Sequence, residues 1–185
     1  MEINLEKIIF LVILVIVFYF IFAYNGIVKR KYRVKEAWAD IEVQLKRRYD
    51  LIGNLVNTVK GYMVHERETL NKITELRSNF YNLSRVDEIS KNQKEVNDLL
   101  KGIFVIVENY PQLKANENFR ELQLELSDTE NKIQAARRFY NQVVMDYNTF
   151  LEIFPNNILN LIFRFKKEEF FDLESEEAKR VEVQF

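Results

Sequence analysis

His65 and Glu66 are the residues of this sequence that most invite a chemical reading. A His-Glu pair on a helix belongs to the zinc-hydrolase pattern, in which two histidines four residues apart hold the metal and the glutamate activates water. The pattern stops there, because the residue four beyond His65 is Thr69 and the chain has one histidine in all. A carboxylate-bridged di-iron site needs two Glu-x-x-His pairs, which one histidine cannot supply. The chain has no cysteine, so disulfides, thiolate metal sites and cysteine nucleophiles drop out. No glycine-rich phosphate loop and no nucleophile elbow is present. The basic pairs Arg47-Arg48 and Arg137-Arg138 could receive a phosphate, but the many glutamates nearby favour a solvated ion-pair face. The expectation is therefore no catalytic residues, no metal and no cofactor.

Polar residues at positions meant for a core remain. Glu66 falls on the heptad series Leu45, Ile52, Val59, Ile73 and Phe80, where an apolar residue is expected. A carboxylate there must find a partner or reach water. It is either a regulatory or partner-binding polar layer, or a structural salt bridge or snorkelling side chain. Asn141 and Asn148 are seven residues apart and share one flank of a helix, from which they could meet Asn54 or Asn57. Such a ladder would set register, as buried asparagines do in coiled coils, or would line a peptide- or lipid-binding groove.

The elements that carry these residues read as helices. Only four glycines and two prolines punctuate 185 residues, too few for the turns of a β or α/β domain. From Ile8 to Val28 the chain is almost wholly apolar, about 21 residues or ~32 Å as helix, against a hydrocarbon core of ~30 Å. No polar face interrupts it, and Glu2 and Glu6 outnumber Lys7 before it, so it reads as a retained transmembrane anchor rather than a cleaved signal. Lys29, Arg30, Lys31, Arg33 and Lys35 follow at once. By the positive-inside rule they place the short N-terminus, 1–7, outside and the following domain in the cytoplasm of a cell (inner) membrane protein. The same collar could hold anionic lipid head groups or be a topology signal alone. With 27 basic against 28 acidic residues, no bulk field draws the chain to nucleic acid.

Beyond the anchor, a helical domain is expected over 29–175. Apolar residues at Trp38, Ile41, Leu45, Ile52, Val56, Val59, Met63, Leu70, Ile73 and Phe80 predict a helix over about 30–83, with bends at glycines. Ile89, Val96, Leu100, Ile103, Val107 and Tyr110 predict one over 88–109, ended by Pro111. A seam from Phe119 through Leu126, Ile133, Tyr140 and Tyr147 to Phe154 predicts a third over 117–154, opening at Asn116 or Asn118 and stopped by Pro155. Short helices within 156–172 would close the bundle end with Ile158 to Phe171, and 176–185 is an acidic tail expected to be mobile. The fold class is all-α: a transmembrane helix followed by an antiparallel three-helix bundle with short C-terminal capping helices.

These residues also carry a family resemblance. Tyr24-Asn25, Ala37-Trp38, Val43-Gln44-Leu45-Lys46-Arg47-Arg48, Asp50-Leu51-Ile52 and Asn54-Leu55-Val56 resemble motifs of the LemA family. Val59-Lys60-Gly61-Tyr62 with His65-Glu66, Tyr110-Pro111 with Leu113-Lys114-Ala115-Asn116, Ala136-Arg137 with Tyr140-Asn141, and Tyr147-Asn148 with Phe154-Pro155 follow in family order. The resemblance covers nearly the whole chain. It implies a membrane-anchored helical protein of bacterial type and no known reaction; some relatives are linked to organising internal membranes. Gly53 stands where the family usually has proline, Lys31 and Tyr32 replace an Arg-Asn pair, and Asn160 to Arg164 lacks the family's small residues.

Two functional expectations follow. The first is a non-enzymatic scaffold or interaction protein of the bacterial envelope, partnered by the bilayer and by other membrane or cytoplasmic proteins, with a homo-oligomer allowed. The second is a membrane-shaping or lipid-binding protein that uses the basic juxtamembrane segment and the hydrophobic end segment.

Overall fold

The computed structural model describes residues 5–62, 71, 75, 78 and 86–171. Glu66, His65 and the tail 176–185 lie outside them, as do Met63, Leu70, Ile73 and Phe80 of the expected first stripe. Among the described residues the protein is all-α, with no strand.

Helix α1 runs from Leu5 to Lys60. No proline breaks it, so the apolar run and the amphipathic stretch that follows are one helix of 56 residues, ~84 Å at 1.5 Å per residue. Helix α2 (Val86–Val107) ends three residues before Pro111, which instead opens the short α3 (Pro111–Lys114) at its first turn, where a missing N–H costs nothing. Helix α4 (Glu117–Glu152) is capped by Asn116, whose Oδ1 accepts the Phe119 N–H at 3.1 Å; of the two capping asparagines the sequence offered, this is the one used. Helix α5 (Asn156–Phe163) begins directly after Pro155 and ends at Arg164, whose left-handed backbone (φ 53°) turns its N–H onto the Asn160 carbonyl at 2.8 Å.

Two compact units divide the chain. The anchor unit holds α1 up to Ala39 together with Phe139–Glu169. Its α1 and α4 run antiparallel: Arg30 meets Asp146, and Trp38 stacks on Tyr140 with ring centroids 5.4 Å apart. Ala23, Ile27, Val34, Val143, Val144, Tyr147, Leu151 and Leu159 form its core. Trp38 is half-buried there, packed on Tyr140.

The second unit holds Asp40–Arg138 and Phe170 onward. Its core takes Ile41, Leu45, Ile52, Val56 and Val59 from α1, Ile89, Val96, Leu100, Ile103 and Val107 from α2, and Phe119, Leu126 and Ile133 from α4. These are the stripes of threes and fours read from the sequence, because a helix buries one face and those steps return to it. Phe154 departs from its seam: α4 ends at Glu152, the turn before Pro155 carries Phe154 off the helical face, and its side chain is 78% exposed.

Candidate functional site

The apolar start of α1 meets the length and composition needed to cross a membrane. Every residue from Leu5 to Phe18 is exposed, which on consecutive helical positions means all faces at once. Protein packing begins at Tyr19 and Phe20, and Ala23 and Ile27 are buried. Gly26 lets α4 approach: a Cβ there would stand 3.1 Å from Phe150 Cζ.

The basic collar follows, and its members differ. Arg30 is half-buried: its Nε lies 3.3 Å from Asp146 Oδ2, and its guanidinium sits 3.7 Å above the Phe150 ring, so this charge ties α1 to α4. Lys29, Arg33 and Lys35 are exposed and Lys31 is half-buried. Arg33 lies near the Phe139 ring at 5.9 Å and Lys35 near Tyr32 at 5.2 Å, with their charges open to solvent or head groups.

After α5 the chain runs extended along α4, fastened by polar side chains. Tyr147 Oη donates to the Lys166 carbonyl at 3.1 Å, and Tyr140 Oη to the Glu169 carbonyl at 3.0 Å. Asn148 makes a two-way clamp: its Nδ2 donates to the Glu168 carbonyl at 2.9 Å and its Oδ1 accepts the Glu168 N–H at 3.0 Å. An asparagine so placed substitutes for a strand partner. Burial, reinforced by the Glu168 and Glu169 carboxylates, pushes the Tyr140 phenol up to about 12, and burial with Glu168 raises Tyr147 as well. Asn141 is half-buried and engaged. Asn54, in the second unit, is exposed, and its carbonyl accepts Thr58 Oγ1 at 2.9 Å within α1. In the second unit, Phe171 is buried with the Arg137 guanidinium 4.5 Å from its ring centre.

The second unit contains a buried polar layer built on Arg48, one member of the basic pair expected on a solvated face. Arg47 pairs on the surface with Glu125, in keeping with a solvated face. Arg48, about 100° further round the helix, is only 4% exposed. Its Nη1 lies 3.1 Å from a Glu130 carboxylate oxygen, and its Nη2 donates to Asn97 Oδ1. Beside it the buried Tyr49 hydroxyl donates to Asn92 Oδ1, and burial raises that phenol far above its ordinary range although the Arg48 charge opposes the shift. The signal was position: Arg48 falls between Leu45 and Ile52 at steps of three and four. A cavity of about 380 Å³ opens against this layer, lined among others by Arg48, Asn97, Gln123, Glu130 and Gln134. It offers hydrogen-bonding groups, the Arg48–Glu130 pair and the Lys101 ammonium. Among the described residues, no three His, Cys, Asp or Glu side chains converge as metal ligands.

The sequence model of a family described as "LemA family" matches residues 37–185. The chain is similar to Protein LemA of Metamycoplasma hominis, 28% identical over 154 residues, 81% of this chain and 70% of that one. It is also similar to Magnetosome protein MamQ of Magnetospirillum gryphiswaldense, 22% identical over 175 residues, and to Magnetosome protein MamQ 1 of Paramagnetospirillum magneticum, 22% over 174. In each of these two pairs the match covers 80% of this chain and 64% of the relative, a little under two thirds of its length.

Proposed function

The chain belongs to the LemA family, and from that premise we propose that it is a non-enzymatic, membrane-anchored helical scaffold or interaction protein of the bacterial envelope. The observation that carries this reading is the continuity of α1, in which one helix supplies both the apolar run and a wall of the domain. Supporting it, the buried Arg48 is occupied by Glu130 and Asn97, which suits a structural layer better than turnover.

In the finer form of this reading, α1, α2 and α4 make an antiparallel three-helix bundle with short capping helices at its end. The protein is single-pass, with its N-terminus outside and its domain in the cytoplasm, and its partners are other membrane or cytoplasmic proteins. Isolation of the full chain from its own membranes after mild crosslinking tests the function. A reproducible, saturable set of adducts to the domain is expected; folded protein that yields neither protein nor lipid adducts would overturn the reading.

A second reading, lipid binding or membrane shaping, is favoured by the exposed Lys29, Arg33 and Lys35 beside the anchor. Binding of the chain's domain to anionic vesicles should then weaken steeply with salt.

A further inference from the structure

We propose that α5 is a membrane-inserted helix: it lies in the domain-side leaflet beside the anchor, with its outer face against lipid acyl chains. The proposal rests on the membrane-anchored reading above and deepens it by fixing which part of the domain enters the bilayer.

The first argument is length. The apolar run of α1 begins at Ile8, and the stretch free of protein contact ends at Phe18. That is about 11 residues, or ~17 Å of helix, against a hydrocarbon core of ~30 Å. The missing ~13 Å corresponds to about nine more residues, Tyr19 to Ile27. Those are residues on which α5 packs: Tyr19 Oη donates to Asn156 Oδ1 at 2.7 Å, and Tyr24 stacks on Phe163 with centroids 5.2 Å apart. If the anchor spans, α5 is carried into the apolar zone with it. Holding α5 in water would leave a span little more than half the needed length.

The second argument is the surface α5 presents. No charged residue occurs between Glu152 and Arg164. Phe154, Ile158, Leu161 and Ile162 are exposed at 78%, 43%, 79% and 62%. Of the five exposed residues of α5, Ile158, Leu161, Ile162 and Phe163 are apolar and Asn157 alone is polar. This patch continues the exposed apolar surface of α1 at Phe18, Ile21 and Phe22, so one occupant covers both. Of the polar groups of α5 that face inward, Asn156 is satisfied: it is 5% exposed, accepts from Tyr19 and donates through Nδ2 to the Phe150 carbonyl at 3.1 Å, while Asn160 Oδ1 is buried without a hydrogen-bond partner among the described residues.

The third argument is where the two apolar stretches end. The α1 run gives way to Lys29, Arg30 and Lys31, and the α5 run to Arg164, Lys166 and Lys167. Both elements therefore leave the apolar zone into a basic cluster, the residue type that seeks anionic head groups. The stretch from Lys166 to Glu168 does not share the insertion, since Tyr147 and Asn148 hold its backbone on α4.

The absence of cysteine allows a direct test on the full chain. Val15→Cys, Leu161→Cys, Ile162→Cys and Lys132→Cys replace exposed residues, so folding should be unaffected. Each is reconstituted in vesicles of phosphatidylcholine and phosphatidylglycerol. It is then probed with a membrane-impermeant maleimide and, after coupling to a fluorophore, with spin-labelled lipid quenchers. The expected result is that Leu161→Cys and Ile162→Cys behave like Val15→Cys. Both should be quenched by lipid and react at least about tenfold more slowly than Lys132→Cys, because a thiol in hydrocarbon does not ionise. Quenching at Val15 with fast aqueous labelling at Leu161 overturns the proposal and leaves the anchor standing. Slow labelling at Leu161 without lipid quenching also overturns it, because a second copy of the chain then covers α5. No quenching at Val15 removes the anchor reading and the proposal together.

Discussion

Arg48 and Arg47 are neighbours in sequence with opposite energetics. Arg47 and Glu125 are both about half exposed, so losing their pair costs at most about 1 kcal/mol. Arg48 is buried between Glu130 and Asn97, and removing it strands a carboxylate and an amide. With the Glu130 side chain still 29% exposed, Arg48→Ala should fall near the lower end of the ~3–5 kcal/mol typical of broken buried pairs. Denaturant unfolding of the full chain in detergent checks the contrast; equal effects at the two positions would contradict it. Tyr140 supplies a pH test. Its folded-state phenol is pushed up to about 12 against an ordinary value of 10.0, so the unfolded chain gives up this proton first. The contribution is therefore complete below pH ~10 and lost as pH rises towards ~12. Thermal unfolding should show a decline over that window that is smaller in Tyr140→Phe. Asn148→Leu removes both bonds to Glu168, and hydrogen exchange at the Glu168 amide should accelerate by about tenfold or more. At this scale the sequence was least legible. Asn148 stood out by its spacing from Asn141, yet its partner is a backbone stretch without periodicity that no pattern could announce. Arg48 was hidden in a basic pair, although its place on the Leu45–Ile52 stripe marked it for the interior.

The helices themselves were legible because each buries one face, and the buried residues recur at the steps that return to that face. Ile41, Leu45, Ile52 and Val59 on α1 and Phe119, Leu126, Ile133, Tyr140 and Tyr147 on α4 are all buried as their spacing requires. Truncating one such residue, as in Ile133→Ala, should cost ~2–5 kcal/mol in the same denaturation experiment. The ends were read less well. Pro111 proved to start a short helix rather than only to stop a long one, because proline is tolerated in a first turn as readily as it breaks an interior. Gly26, a residue that weakens a helix interior, serves packing here: its missing Cβ makes room for Phe150. Gly26→Leu should therefore loosen α1 from α4 in the anchor unit, seen as faster hydrogen exchange over Val143–Leu151, while Gly61→Leu, with open space around it, should not.

Over the whole molecule, the composition already excluded most chemistry, and what survives is a matter of location. The family match covers 37–185, so it stops short of the anchor, and the argument for a membrane comes instead from the apolar length of α1 and its exposed faces. In the proposed reading, the collar of Lys29, Arg30, Lys31, Arg33 and Lys35 sets the orientation. Arg30 is engaged with Asp146, yet four basic residues remain beside the span. The proposed scaffold role, with membrane or cytoplasmic proteins as partners, puts the domain on the cytoplasmic side. Fusing to Phe185 a reporter active only in the cytoplasm, and in a parallel strain one active only outside, tests that claim most directly. The account predicts activity from the cytoplasmic reporter alone; activity from the external one alone would contradict it, and with it the reading of the basic collar.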